Sequence, residues 1–413
     1  MRQHRPLRPA WALAALTGLN LVNYLDRQIL PAVLGPVKAA LHLTDSGLGT
    51  LQVAFMLGYF LTAPFFGYLG DRCSRRGLIV AGIVVWSAGT ALSGWAPNLA
   101  LLILFRTLVG LGEASYGTIS PAWIADLYAP ARRNAAISIF YVAIPVGSAL
   151  GYILGGVMAA HFGWRSAFFV AGAPGLLLAL ALLLLPEPAR GSSEPAGAPE
   201  DAPAGSGLGV YARLRHCPDY LLVVAGYTAQ TFAMGAFAFW APTFLQRVHG
   251  FGLEEADHFF GVALVLSGLG ATLLGGWIAS AWQRRSPAGY ARVLAASAAA
   301  TVAAAWAAFA LTGRGPAEVA LVAAMFLIFL PTGPINTLIL ETVPVGMRAA
   351  AMAASLFAIH AFGDLWSPKL VGMLSDRTGS LRGATLSTLP PALAVCAACW
   401  LALALRQGRR AAR

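Results

Sequence analysis

Apolar runs of about 20 residues, the length that carries an α-helix across the hydrocarbon of a bilayer, recur from one end of this chain to the other. Twelve are expected, over residues 10-38, 47-70, 77-96, 98-127, 134-159, 166-186, 219-246, 256-281, 289-312, 317-342, 347-373 and 383-406. Hydrophobic residues make up 58% of the chain and charged residues 11%, whereas soluble domains carry roughly a quarter charged residues. A water-soluble fold has no way to hide so much apolar surface. The reading is an all-α membrane protein of twelve transmembrane helices.

One longer interruption, Pro186 to Cys217, mixes Pro, Gly, Ala, Ser and acid. That composition buries no core and reads as a solvated linker. The expected division is a six-helix bundle over 1-186, a linker over 187-218 and a second six-helix bundle over 219-413. No cleavable signal peptide is expected, because the first apolar run contains Asp26 and Arg27 and runs on too long. Arginines alternate between loops: Arg72, Arg75, Arg76, Arg132, Arg133, Arg284, Arg285 and Arg348 fall on the side of both termini and the linker. The positive-inside rule makes that side cytoplasmic. The net charge of +11 then follows from topology and anionic membrane lipid, with no nucleic-acid partner. The absence of an Asn-x-Ser/Thr sequon favours a plasma membrane of the bacterial inner-membrane kind. The four cysteines lack the His or acidic partners of a metal site, and no cofactor is expected. No Gly-x-Ser-x-Gly, His-Glu-x-x-His or phosphate loop is present, so an enzyme is not expected.

The chain repeats itself weakly. Gly67 through Arg75-Arg76 after the second run is echoed by Gly276 through Arg284-Arg285 after the eighth, and Asp126-x6-Arg133 by Glu341-x6-Arg348. Two pseudo-symmetric halves are the economical reading.

Gly67-x-Leu69-Gly70-Asp71-Arg72-x-x-Arg75-Arg76 resembles the signature loop of the major facilitator superfamily, with Ser74 where that loop usually has Gly. Arg106-x3-Gly110-x-Gly112 and Pro145-x-Gly147-x3-Gly151-x3-Gly155-Gly156 are similar to its motifs in the fourth and fifth helices. The resemblance implies the major facilitator fold and a cytoplasmic gate of Asp71, Arg72, Arg75 and Arg76 with Asp126 and Arg133. Setting topology alone is the competing role for these charges. Within the superfamily four stretches resemble the spinster family of lipid transporters: Asn23-Tyr24-Leu25-Asp26-Arg27, Gly112-Glu113-Ala114-Ser115-Tyr116 through Ser120-Pro121, Trp240-Ala241-Pro242-Thr243, and Gly363-Asp364-x2-Ser367-Pro368. Organic-anion symporters of the superfamily share the first of these and a Gly-x-Gly-Glu-Ala stretch.

An ionisable side chain within a membrane helix costs at least about 2.5 kcal/mol, so such residues mark a pathway by default. Here they are few: Asp26, Arg27, Arg106, Glu113 and Asp364, joined by His360. Arg106 and Glu113, seven apart, share one helix face, as do Asn20, Asn23 and Arg27. Asp26 points about 100° from Arg27, towards Glu113 or Arg106, leaving Arg27 to face the cavity. Asp26 and Glu113 are the expected proton-coupling pair, and Arg27 and Arg106 suit a phosphate or carboxylate headgroup. A structural salt-bridge set is the competing reading, as a helix-helix contact is for His360 with Asp364.

Further substrate-binding candidates are Asn23, Tyr116, Gln230, Phe237, Trp240, Asn336 and His360, although plain packing suits each aromatic as well. Pro331 and Pro334 are expected to kink or break the tenth helix. The resemblance implies a lysophospholipid or sphingosine 1-phosphate-like cargo moved with protons by alternating access in a monomer. A proton-coupled symporter of small organic anions is the alternative.

Overall fold

A computed structural model describes residues 9–70, 72–190, 192–193, 209–344 and 347–411, and the described residues contain helices and no strand. The helices are α1 (Pro9–Ala32), α2 (Leu34–Leu41), α3 (Asp45–Gly70), α4 (Arg75–Trp95), α5 (Leu99–Leu127), α6 (Pro130–Phe162), α7 (Trp164–Leu184), α8 (Gly209–Leu214), α9 (Pro218–His249), α10 (Leu253–Gln283), α11 (Gly289–Ala310), α12 (Arg314–Phe329), α13 (Thr332–Glu341), α14 (Arg348–Ile359), α15 (Ser367–Thr378) and α16 (Leu381–Ala411). Helix is the answer hydrocarbon imposes, because every backbone donor and acceptor must find its partner inside the segment.

Among the described residues, ten helical segments are long and apolar enough to cross a membrane. The other two of the twelve spans fall outside that set for different reasons, one by polarity and one by a break. Helix α1 holds Asn20, Asn23, Asp26 and Arg27, which lower its mean hydropathy. The eleventh span is broken into α14, a π-helical turn over His360–Asp364, and α15. The tenth span is divided as its prolines require: α12 ends at Phe329, Pro331 precedes α13, and the Thr332 hydroxyl donates to the Phe329 carbonyl at 2.6 Å.

The chain forms two compact units, Met1–Ala198 with Gly252–Gly261, and Pro199–Phe251 with Val262–Arg413. In the first, α1 packs on α6, α3 and α4 pack on α5, and α4 packs on α7. Gly147 and Gly151 of α6 meet the carbonyls of Leu21 and Leu25 on α1, where a Cβ would overlap the backbone. Gly110 of α5 meets the Phe55 carbonyl of α3 in the same manner. Small residues at these crossings bring the helix axes close and hold α1 against its neighbours.

In the second unit α11 and α9 pack on α16, α11 on α12, and α9 on the π turn. Asp219, in the first turn of α9, receives Arg406 and Arg410 from the last turns of α16 at 2.9 and 2.7 Å. A carboxylate at a helix start and guanidiniums at a helix end both complement the helix dipoles.

Replacing Gly110 with Ala is expected to destabilise the fold by about 1–3 kcal/mol, since a methyl group must displace backbone. Gly276→Ala is the control, because a Cβ there meets nothing within 4 Å. It is expected to be neutral or stabilising by up to about 1 kcal/mol. Thermal unfolding in detergent compares the two.

Candidate functional site

The charged residues of α1 and α5 meet inside the first unit. Asp26 is fully buried and accepts a hydrogen bond from the Thr90 hydroxyl of α4 at 2.5 Å, while its other oxygen has no partner among the described residues. Arg27, next in sequence and turned about 100° around α1, donates from Nε to Glu113 Oε2 at 2.6 Å. Glu113 is wholly enclosed, but the Arg27 side chain keeps 22% of its surface accessible. The contact is thus a charge-assisted hydrogen bond with one partner at the edge of the buried region.

Aromatic rings complete the setting of both guanidiniums. The Arg27 guanidinium lies 4.8 Å from the Tyr24 ring centre, 5.2 Å from Phe55 and 5.1 Å from Tyr59. Arg106 lies 5.0 Å from Phe55, so one ring serves both cations. Cation–π attraction is strongest where water is excluded. Arg106 is fully buried and its donor nitrogens have no hydrogen-bond partner among the described residues, yet its charge acts on both Asp26 and Glu113. Two carboxyl groups and two guanidiniums therefore form one electrostatic group.

Helical spacing alone aims Asp26 at Glu113 or Arg106 and leaves Arg27 to the cavity. In the structure Arg27 itself holds Glu113, and the hydrogen bond to Asp26 comes from Thr90. Thr90 is the middle of three hydroxyls, Ser87, Thr90 and Ser93, at three-residue spacing on α4, and nothing in that spacing says which of them meets Asp26. Tyr24 lies inside the Asn23–Arg27 stretch, where sequence assigns its ring no role. Around this group, Asn20 donates to the Phe140 carbonyl at 2.9 Å, and Asn23 is buried. Tyr116 gives its hydroxyl to the Leu16 carbonyl at 2.5 Å and packs edge-on against Trp86.

The remaining candidates lie in the second unit. Gln230 donates to the Ile328 carbonyl at 2.5 Å, Trp240 to the Pro368 carbonyl at 2.9 Å, and Asn336 to Thr332 in its own helix at 3.0 Å. Phe237 packs edge-on against Phe309. His360 Nδ1 stands 3.1 Å from both oxygens of Asp364 across the π turn. Gly235 of α9 makes room there, since a Cβ would lie 2.6 Å from that of Asp364. A π turn exposes residues that a regular helix would seat differently, and such turns concentrate at functional sites.

Of the gate residues, Asp71 lies outside the described residues. Arg75 forms an ion pair with Asp126. Arg76 donates to the Leu183 and Leu185 carbonyls at 3.3 and 3.0 Å, and Arg72 stacks on Tyr68. Arg133 bonds the Tyr128 carbonyl and the Ser193 hydroxyl at 3.3 and 3.2 Å.

The linker corrects the sequence reading at its start. Rather than being wholly solvated, Glu187 accepts from the Ser74 hydroxyl at 2.6 Å and from the backbone N–H groups of Arg75 and Arg76 at 2.8 and 3.4 Å, capping α4. Arg190 caps the other side of the loop through the Gly70 and Cys73 carbonyls at 3.1 and 2.7 Å. Ser192 and Ser193 bond the Asp126 and Ala125 carbonyls at the end of α5. A Pro, Ser and acid composition denies a core, but its short polar side chains suit the orphan groups of helix ends.

With the geometry in hand, the chain can be set beside known proteins. The Major Facilitator Superfamily model matches residues 16–368, and the chain is a transporter of that superfamily. It is 35% identical over 382 residues to Protein spinster homolog 3 of Danio rerio, covering 88% of this chain and 76% of the relative. It is 35% identical over 398 residues to Protein spinster homolog 1 of Homo sapiens, covering 90% and 74%. A solved structure described as a bacterial homolog to the human lysosomal transporter Spinster, inward-facing and unoccupied, superposes with a TM-score of 0.83 at 24% identity, covering 97% of each chain. Within the superfamily the chain belongs to the spinster family.

Partial burial alone would raise the Glu187 carboxyl, but the Ser74 hydroxyl, the Arg75 and Arg76 amides and the nearby Arg190 charge hold it below its ordinary value. A depressed carboxyl stabilises the fold fully above its unfolded pKa, about 4.3, and that contribution is lost as pH falls through the lower folded value. Glu187→Gln is expected to lower the unfolding temperature at neutral pH and to leave it nearly unchanged in acid, where wild type and variant converge. Thermal scans across pH measure this.

Proposed function

We propose that this spinster-family transporter moves an amphipathic lipid with an anionic headgroup, of the lysophospholipid or sphingosine 1-phosphate class, by alternating access and in exchange or symport with protons. The observation that carries the reading is the Arg27–Glu113 contact: a guanidinium with an accessible edge, held by an enclosed carboxylate at 2.6 Å. A proton placed on Glu113 removes the charge that holds Arg27. The guanidinium is then released to a phosphate or carboxylate, which it binds with two parallel charged hydrogen bonds. Proton and anion thereby compete for one contact, and neither occupies it without affecting the other.

Asp26 and Arg106 play supporting parts. Arg106, fixed over Phe55 and close in charge to both carboxyls, keeps the group near neutrality when both are ionised. Asp26, bonded to Thr90, is the second proton site. His360 with Asp364, and Gln230, Phe237, Trp240 and Asn336, are assigned to the lipid's path in the second unit. The arginine-bearing loops and both termini face the cytoplasm of a bacterial inner membrane, by the positive-inside rule. Asp126 with Arg75, joined by Asp71, Arg72, Arg76 and Arg133, forms the gate on that side. The functional unit is a monomer.

In proteoliposomes, Glu113→Gln and Asp26→Asn are expected to abolish the pH dependence of lipid transport; wild-type pH dependence in both would overturn the coupling assignment. Arg27→Gln is expected to weaken headgroup binding by at least about 10- to 100-fold, since losing even one of its two charged hydrogen bonds costs about 1.5–3 kcal/mol. Ligand-induced thermal shifts check this. Single-chain lipids with phosphate headgroups should stabilise the wild type, and stabilisation by water-soluble organic acids instead would replace the cargo assignment.

A further inference from the structure

Helix α10 begins inside the first unit, and its opening turns, Gly252–Gly261, pack on α6. The seam follows helical spacing on both sides. Gly261 meets the Ala149 carbonyl, Phe260 stands edge-on to Tyr152 with ring centres 4.8 Å apart, and Asp257 fits against Gly156. A Cβ at Gly156 would lie 2.8 Å from Asp257 Oδ2, so the missing side chain is what makes space for the carboxyl. One turn nearer the helix start, His161 of α6 faces Glu254 at 3.2 Å, with both side chains largely exposed.

Asp257 is fully buried and neither oxygen has a hydrogen-bond partner among the described residues. The titratable group facing it from α6 is Tyr152, itself fully buried and able to carry only negative charge. On α10 its neighbours Glu254, Glu255 and His258 are exposed. Among the described residues no cation is placed against it, in contrast to Asp26 and Glu113, whose surroundings contain two guanidiniums. An isolated carboxylate in such a place is severely penalised, whereas the neutral acid has only the smaller cost of an unpaired polar group.

We propose that Asp257 is a proton-binding site separate from the Asp26–Glu113 group, and that its neutral acid form seals the opening turns of α10 onto the Gly156 face of α6. Loss of the proton makes the seam untenable, and the carboxylate reaches water as these turns separate from α6. The ligand is a proton because no group of three or more His, Cys, Asp or Glu side chains that could hold a metal ion is found among the described residues. The site concerns closure of this seam and does not depend on which solute is transported.

Hydrogen–deuterium exchange of the purified full chain over a pH series, corrected for intrinsic exchange rates, tests it through the peptide covering 252–261. In the wild type, opening is expected to rise with pH by up to about tenfold per unit, the slope of one released proton. Asp257→Asn, which preserves the shape of the neutral acid, is expected to stay at the protected level throughout. Glu113→Gln is expected to keep the wild-type profile. A second measurement uses the wild type directly: infrared difference spectra should show a protonated carboxyl band that Asp257→Asn lacks. A wild-type peptide with no pH response, an Asp257→Asn profile that follows the wild type, a response abolished by Glu113→Gln, or spectra without the band would each overturn the proposal.

Discussion

An unpaired polar group in hydrocarbon costs several kcal/mol, and this one penalty organises the molecule at every scale. It dictates that the spans are helical, because only a helix satisfies its own backbone. It explains why the tenth and eleventh spans are broken at identifiable chemistry, Pro331 and Pro334 in one and the π turn at His360–Asp364 in the other. Where the ladder opens, a side chain answers it, as Thr332 does for Phe329. The same penalty favours placing Arg27 against Glu113 and Thr90 against Asp26, with Arg106 and Asp257 as buried groups that have no hydrogen-bond partner among the described residues.

Most of the architecture was legible in the sequence for that reason. Apolar runs long enough to span are a one-dimensional signal, and all twelve became helices. Helix α1 falls short by hydropathy because it carries Asn20, Asn23, Asp26 and Arg27, whereas the eleventh span falls short by length, its π turn leaving α14 and α15 at 12 residues each. What sequence does not contain is azimuth. Knowing that Asp26 and Arg27 point about 100° apart does not say which of them faces α5, because that depends on where α1 is rotated against α6. The glycines at 147 and 151 set that rotation by admitting the Leu21 and Leu25 carbonyls. The pairing of Arg27 with Glu113 follows from this packing and from no local pattern.

Thr90 and Phe55 were illegible for a related reason. One hydroxyl among several or a single ring within an apolar run is indistinguishable from packing until its neighbour is known. The converse holds in the linker. Its composition announced that no core forms there, and that much is sound for a segment rich in Pro, Ser and acid. The inference from coreless to wholly solvated failed at Glu187 and Arg190, whose side chains reach helix ends that sequence treats as separate elements. Capping by a residue more than 100 positions away has no signature in either segment.

The two guanidiniums differ in a way that composition cannot express and that bears on mechanism. Arg106 is wholly enclosed and lies over one ring, while Arg27 sits among three and retains an accessible edge. A cation with no accessible surface exchanges partners only if helices part, so Arg106 is suited to fixing the charge of the group. A cation at the edge exchanges partners by rotating its own side chain, at little cost to the packing around it. Aromatic walls hold Arg27 without neutralising it, which is what the proposed release of Arg27 from a protonated Glu113 requires. The asymmetry between two identical side chains, one locked and one poised, is therefore set by the neighbours that α3 supplies: Phe55 lies between both, and Tyr59 flanks only Arg27.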